Sequence, residues 1–200
     1  MPIKTVIFDL DGTVTRQYLD FDAIRREMNL PPETDTILEA MEKMTPEQRH
    51  QARLVLQEHE DRAAQNVELN PHADQILREL SLKGINIGVL TRNTKSNAEI
   101  IASRFCLRFD AIVDRDHGPP KPDPHGVLWL CEFFRTVPAE TMLVGDYLHD
   151  LLCAKAAGAT AILLKTHPNG HEFTKYADYV INSLEQLPRI IENHEHENTV

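Results

Sequence analysis

The chain lacks any apolar run approaching the roughly 20 residues that a membrane-spanning helix requires. Its opening, "MPIKTVIFDLDG", reads as a strand carrying charges rather than as a secretory leader. Cysteine is scarce. Cys106, Cys131 and Cys153 are the three in 200 residues, far apart and with no CxxC pair, which predicts buried, reduced thiols in a cytoplasmic protein. Excess positive charge is missing too. The formal net charge of −10 disfavours nonspecific binding to nucleic acid, which needs a basic patch. A small anionic substrate stays compatible, because a metal ion and one lysine can reverse a local potential. There is no internal repeat and no low-complexity linker. With 42% hydrophobic and 26% charged residues, what remains is an ordinary globular chain, long enough for one core and a small appended unit.

Short apolar runs alternate with helical patterns. The candidate strands are "TVIFDL" (5–10), "NIGVLT" (86–91), "AIVD" (111–114), "TMLVGD" (141–146), "TAILL" (160–164) and "DYVI" (178–181). Most are continuously apolar, which suits strands covered on both faces of a parallel sheet. Ala73, Ile76, Leu77 and Leu80 form a helical stripe, as do Ala98, Ile101, Ala102 and Phe105, and Val127, Leu130, Cys131 and Phe134. Gly84 and Gly158 stand where two of these helices should stop. The alternation predicts an α/β fold, a doubly wound and mostly parallel sheet.

From 16 to 71 the alternation breaks. There is no convincing strand, and helical stripes occur at Phe21, Ile24 and Met28 and again at Ile37, Met41 and Met44. Pro31-Pro32 punctuates them, and Pro71 ends the region. The expected organisation is an α/β core at 1–15 and 72–200, a small all-helical insert at 16–71 after the first strand, and a frayed, solvated tail at 193–200 that includes His194 and His196.

In open α/β sheets ligands bind beyond the carboxyl ends of the strands. What stands there is Asp9-Leu10-Asp11, Thr91-Arg92-Asn93, Asp114-Arg115-Asp116 and Gly145-Asp146, with Asp150 shortly after and Lys121 in a proline-flanked loop. Asp9 and Asp11 are two apart, so in extended backbone both side chains start toward one side. Gly12 permits a sharp turn and brings backbone N–H groups close to an incoming anion. Clustered carboxylates suit Mg²⁺, a hard cation. One carboxylate can attack phosphorus while another, protonated, supplies the leaving oxygen with its proton.

These segments, "DLDGT" at 9–13, Thr91 ending "IGVLT", Lys121 in "KPDP" and "GDYLHD" at 145–150, resemble the four ordered motifs of the haloacid dehalogenase-like hydrolase superfamily. The resemblance is to its phosphatase branch with a small helical cap, similar to phosphoglycolate phosphatases, and it spans essentially the whole chain. It implies Asp9 as nucleophile and Asp11 as general acid and base, with the backbone carbonyl of Asp11 also on Mg²⁺. Thr91 and the Arg92 N–H would hold a phosphoryl oxygen, and Lys121 would offset the charge of Asp9 and the phosphoryl group. Asp146 would bind the metal directly, and Asp150 directly or through water. Gly12, Thr13 and Asn93 join the phosphate-binding set, although Asn93 could instead cap the helix starting near Thr94. The insert would be a cap that opens and closes over the site.

Branches of this superfamily differ at the position of Asp11. Dehalogenases usually carry an aromatic residue there, and phosphonoacetaldehyde hydrolases carry alanine and use a cap lysine. Here the residue is aspartate, and Lys43 is the single lysine of the insert. The expectation is a Mg²⁺-dependent phosphatase acting on a small phosphorylated metabolite. A phosphomutase of the β-phosphoglucomutase type is the enzymatic alternative, and a catalytically silent binding module the non-enzymatic one. Arg16, Arg25, Arg26, Arg49 and Arg53 are open either to substrate contact or to solvated helix faces. No motif sets an oligomeric state.

Overall fold

The computed structural model describes residues 1–34 and 36–197, with side chains described through 194. Six strands form one all-parallel sheet: β1 Thr5–Phe8, β2 Asn86–Leu90, β3 Ala111–Val113, β4 Thr141–Gly145, β5 Thr160–Leu164 and β6 Tyr179–Ile181, in the order β3-β2-β1-β4-β5-β6. Their apolar continuity has the expected cause. All four residues of β1 and all five of β4 are buried, because helices cover both faces. β1 pairs with β2 and β4, and Phe8 lies level with Val89 on one side and Val144 on the other. The strand order reverses between β1 and β4, which is where a doubly wound sheet opens a crevice.

The chain divides into two compact units, Met1–Gln17 with Val67–Val200, and Tyr18–Asn66. In the first, helices α4 Ala73–Leu82, α5 Lys95–Arg104, α6 His125–Phe134, α7 Leu148–Ala157, α8 Gly170–Phe173 and α9 Leu187–Glu197 connect or follow the strands. Ala73, Ile76, Leu77 and Leu80 are all buried, as the stripe on α4 requires. Gly158 closes α7 in the left-handed conformation, and Gly84 (φ 74°) follows α4 in the same way.

The second unit holds α1 Phe21–Glu27, α2 Ile37–Glu42 and α3 Pro46–Asn66. Its small core is Ile24, Ile37, Met41, Ala52 and Leu56. Asp20 caps α1 through the Ala23 N–H. Three of the arginines make structural hydrogen bonds inside this unit. Arg25 donates to the Thr34 carbonyl at 2.7 Å, and Arg49 donates to the carbonyls of Met41 and Glu42 at 3.0 and 2.6 Å, closing the end of α2. Arg26 donates to the Asp22 carbonyl, and in the first unit Arg16 pairs with Glu68.

The stretches on either side of this insert are zipped together. The Asn70 N–H donates to Val14 O and the Arg16 N–H to Glu68 O, both at 2.9 Å, around a Thr15–Leu69 bridge.

Two expectations are corrected. Cys131 and Cys153 are buried, but Cys106 is exposed in a left-handed turn after α5. Phe21, placed on a packing stripe, is 42% exposed. Residues 193–197 belong to α9, in which Leu187 and Ile191 are buried and His194 Nδ1 lies 3.3 Å from the Tyr179 hydroxyl. Residues 198–200 and the His196 side chain lie outside what is described.

Candidate active site

β1 expires at Phe8 because the Leu10 carbonyl is diverted. It accepts from the backbone N–H groups of Thr13 and Thr15 and from the Thr15 hydroxyl, which curls the chain out of the ladder. Asp9 is still tied to β4 through its N–H on Val144 O. Gly12 sits at φ 92°, and a Cβ there would lie 2.3–2.9 Å from the Asp146 carboxylate, so no side chain fits. The Gly12 carbonyl is held by Asn70 Nδ2 at 2.8 Å and by the Thr166 hydroxyl at 2.7 Å. Asn70 Nδ2 also reaches the carbonyls of Thr13 and Thr15. The Thr13 hydroxyl is buried without a hydrogen-bond partner.

Asp146 follows β4 directly, and Asp150 lies in the first turn of α7, where its Oδ2 accepts the Tyr147 N–H. Oxygens of Asp9, Asp146 and Asp150 approach within 4.8 Å of one another, and all three residues are buried. Lys121, 3% exposed, puts its Nζ 2.6 Å from both Asp9 Oδ1 and Asp150 Oδ1. The loop carrying Lys121 is pinned at two points. Arg92 donates to the Lys121 carbonyl at 3.0 Å and the Cys153 thiol to the Asp123 carbonyl at 3.0 Å.

The electrostatics follow from this crowding. Burial pushes Asp9 up to about 7, with the charges of Asp150 and Asp11 adding and Lys121 opposing. Burial raises Asp146 well above the carboxylate range too, reinforced by Asp9 and Asp150. One lysine does not balance three buried carboxylates. An oxygen-only, anionic, enclosed donor set of this kind fits a hard divalent cation.

The Asp11 carboxylate is not a member of that cluster. Its Oδ2 accepts from Asn93 Nδ2 at 3.1 Å, and burial raises it while that hydrogen bond, Lys121 and Arg115 oppose the shift. The Thr91 hydroxyl oxygen accepts the Asn93 N–H at 3.0 Å, leaving its own hydrogen to donate. Asn93 does not cap α5. Thr94 does, through the Asn97 N–H. Asp114 and Asp116 belong to the neighbouring turn, where Asp114 accepts the backbone N–H groups of Lys95 and Asp116. His149 is half-buried with Nδ1 2.7 Å from the Arg92 guanidinium.

Asn70, Thr166, Asn97 and Arg115 are not among the residues that the motifs single out. A local signal exists for one of them: Asn70 forms an Asn-Pro pair where the helical insert returns, a dipeptide that marks a turn.

A six-stranded parallel sheet carries clustered aspartates and a buried lysine at its carboxyl edge, and comparison with known proteins gives the family. Residues 6–164 match the haloacid dehalogenase-like hydrolases, and the chain belongs to that family. It is 33% identical to an uncharacterized hydrolase of Saccharomyces cerevisiae over 196 residues, covering 95% of this chain and 90% of the yeast protein. It is 27% identical over 217 residues to a phosphoglycolate phosphatase of Chromobacterium violaceum, covering 96% and 97%. The crystal structure of a hydrolase from Pseudomonas syringae shares the fold with a TM-score of 0.79 at 23% identity, over 94% of this chain and 98% of that one.

Proposed function

We propose that the protein is a Mg²⁺-dependent phosphatase that hydrolyses a small phosphomonoester through an aspartyl-phosphate on Asp9. The observation that carries this reading is the buried Lys121 ammonium, 2.6 Å from both Asp9 and Asp150 in a cluster of three buried carboxyl groups. The likeness to a phosphoglycolate phosphatase supports the substrate class.

Asp9, Asp146 and Asp150 would hold the ion, together with the Asp11 carbonyl oxygen. Bound there, Mg²⁺ supplies positive charge to the phosphoryl oxygens and favours the ionised form of Asp9. The chain's own residues do the rest. An Asp9 carboxylate oxygen forms a bond to phosphorus as the ester P–O bond breaks, and Asp11 gives the departing oxygen its proton. Water then attacks phosphorus, the bond to Asp9 breaks, and Asp11 takes back a proton. Thr91 directs its hydroxyl hydrogen to a phosphoryl oxygen, and Lys121 balances the charge that accumulates beside Asp9. In this reading the helical unit is the family's cap.

The test is phosphate release from an aryl phosphate with and without Mg²⁺, in wild type and Asp9→Asn. Turnover should require the metal and vanish in the variant. Beryllium fluoride with Mg²⁺, which mimics an aspartyl-phosphate, should raise the melting temperature of the wild type alone. Metal-independent turnover or an active Asp9→Asn protein would overturn the proposal.

A further inference from the structure

Two asparagines at this edge are buried almost completely, and the chemistry above gives neither a task. Asn93 is 3% exposed and Asn97 is fully buried on the first turn of α5. Asn93 Oδ1 accepts the Thr94 backbone N–H at 2.7 Å and Asn97 Nδ2 at 3.2 Å. A backbone N–H can only donate, so it fixes which way the Asn93 amide points. The oxygen faces α5 and the NH₂ faces Asp11, where Nδ2 donates to Oδ2 at 3.1 Å.

Asn97 gains little for itself. Its Oδ1 is buried with no hydrogen-bond partner. A buried carbonyl without a partner loses its hydration and receives nothing in exchange, so a position that only filled space would be better served by an apolar side chain. The other end of the same amide is a second donor to Asn93 Oδ1, reinforcing the orientation that sends the Asn93 NH₂ toward Asp11.

We propose that Asn97 and Asn93 are positioning residues that act in series, Asn97 orienting Asn93 and Asn93 orienting Asp11, so that the proton of the general acid is carried on Oδ1 and presented to the leaving oxygen. An oxygen that accepts an N–H bond is a poor site for the proton, which leaves Oδ1 as its carrier. This rests on the reading of Asp11 as the proton donor. The relay adds no chemical step. It selects the carboxyl oxygen and holds its direction, which is the geometric requirement of general acid catalysis.

The experiment compares kcat/KM for two monoesters. One is an alkyl phosphate, whose alkoxide must be protonated as it leaves. The other is dinitrophenyl phosphate, whose phenolate leaves without a proton. Asn97→Leu keeps the branch at Cγ and the number of side-chain heavy atoms and removes the amide. It should lower the alkyl-to-dinitrophenyl ratio of kcat/KM about tenfold, with a melting temperature at or above that of wild type. Asn93→Asp keeps an oxygen toward Thr94 and Asn97 but sets an acceptor against Asp11, and its ratio should fall on the order of a hundredfold. Both variants should still bind Mg²⁺ and beryllium fluoride. An unchanged ratio, whether activity is kept or lost equally on both esters, overturns the relay. If Asn97→Leu fails to fold, Asn93→Asp decides alone. Asp11→Asn is the reference. If it too leaves the ratio unchanged, the role of Asp11 is wrong; if it collapses the ratio while the asparagine variants do not, the relay alone is wrong.

Discussion

Lys121 occupies a place where a lysine is costly unless partnered, and its partners are two carboxylates that would be costly without it. Lys121→Met should therefore act through what it leaves behind: Asp9, Asp146 and Asp150 buried with no cation among them. Removing one member of a buried ion pair costs roughly 3–5 kcal/mol. At pH 8 chemical denaturation in the absence of Mg²⁺ should show a loss of that size, and at pH 5, where Asp9 holds its proton, a smaller one. An equal loss at both pH values would mean that packing, not charge, explains the lysine. At this scale the sequence is most readable where chemistry and position coincide. Asp9, Asp146 and Lys121 are legible because each directly follows an apolar run or sits in a proline-flanked loop. Asn93 is not, because an amide side chain takes its meaning from whichever groups the fold brings to its two ends, here Thr94, Asn97 and Asp11.

At the scale of elements, the strands were legible to within a residue or two, and the small errors share a cause. "TVIFDL" stops as a strand at Phe8 rather than Leu10 because the Leu10 carbonyl serves a turn instead of a ladder. Hydropathy carries no sign of that diversion. The polar composition from Asn193 onward likewise carries no sign of α9, whose Leu187 and Ile191 are buried further back. Asn70 shows how one side chain fastens an element that composition would leave loose. Its Nδ2 hydrogens are shared among the carbonyls of Gly12, Thr13 and Thr15. Asn70→Ala should cost about 2 kcal/mol, two hydrogen bonds at about 1 kcal/mol each, in chemical denaturation. It should also lower Mg²⁺ affinity, since the same loop sets Asp9 and Asp11. Unaltered metal affinity, read by calorimetry, would show that the loop keeps its shape without this fastening.

For the molecule as a whole, the acidic cluster couples stability to pH. Asp9 titrates near 7 in the folded, metal-free protein, against a reference of 3.8. Between those values the folded state keeps a proton that the unfolded chain has released. Stability therefore falls as pH rises through this window, and Asp146 adds in the same direction. Without metal, the melting temperature should decline from pH 5 to pH 8. Added Mg²⁺ should raise it more at pH 8, where Asp9 has largely released its proton and the ion competes less for that carboxylate. A Mg²⁺ effect equal at both pH values, or larger at pH 5, would contradict a carboxylate metal site.

The paired stretches at 14–16 and 68–70 carry a consequence for how such a molecule can change. The helical unit is spliced into the α/β unit at a single seam, where the outgoing and returning chains are already stitched to each other. A short loop joining the two sides of that seam would replace residues 18–66 without shifting the register of any strand. A longer or differently folded segment could be grafted there on the same terms. The insert can thus be exchanged at that seam as one covalent unit, while the carboxylates and the lysine keep their places in the sequence of the α/β unit.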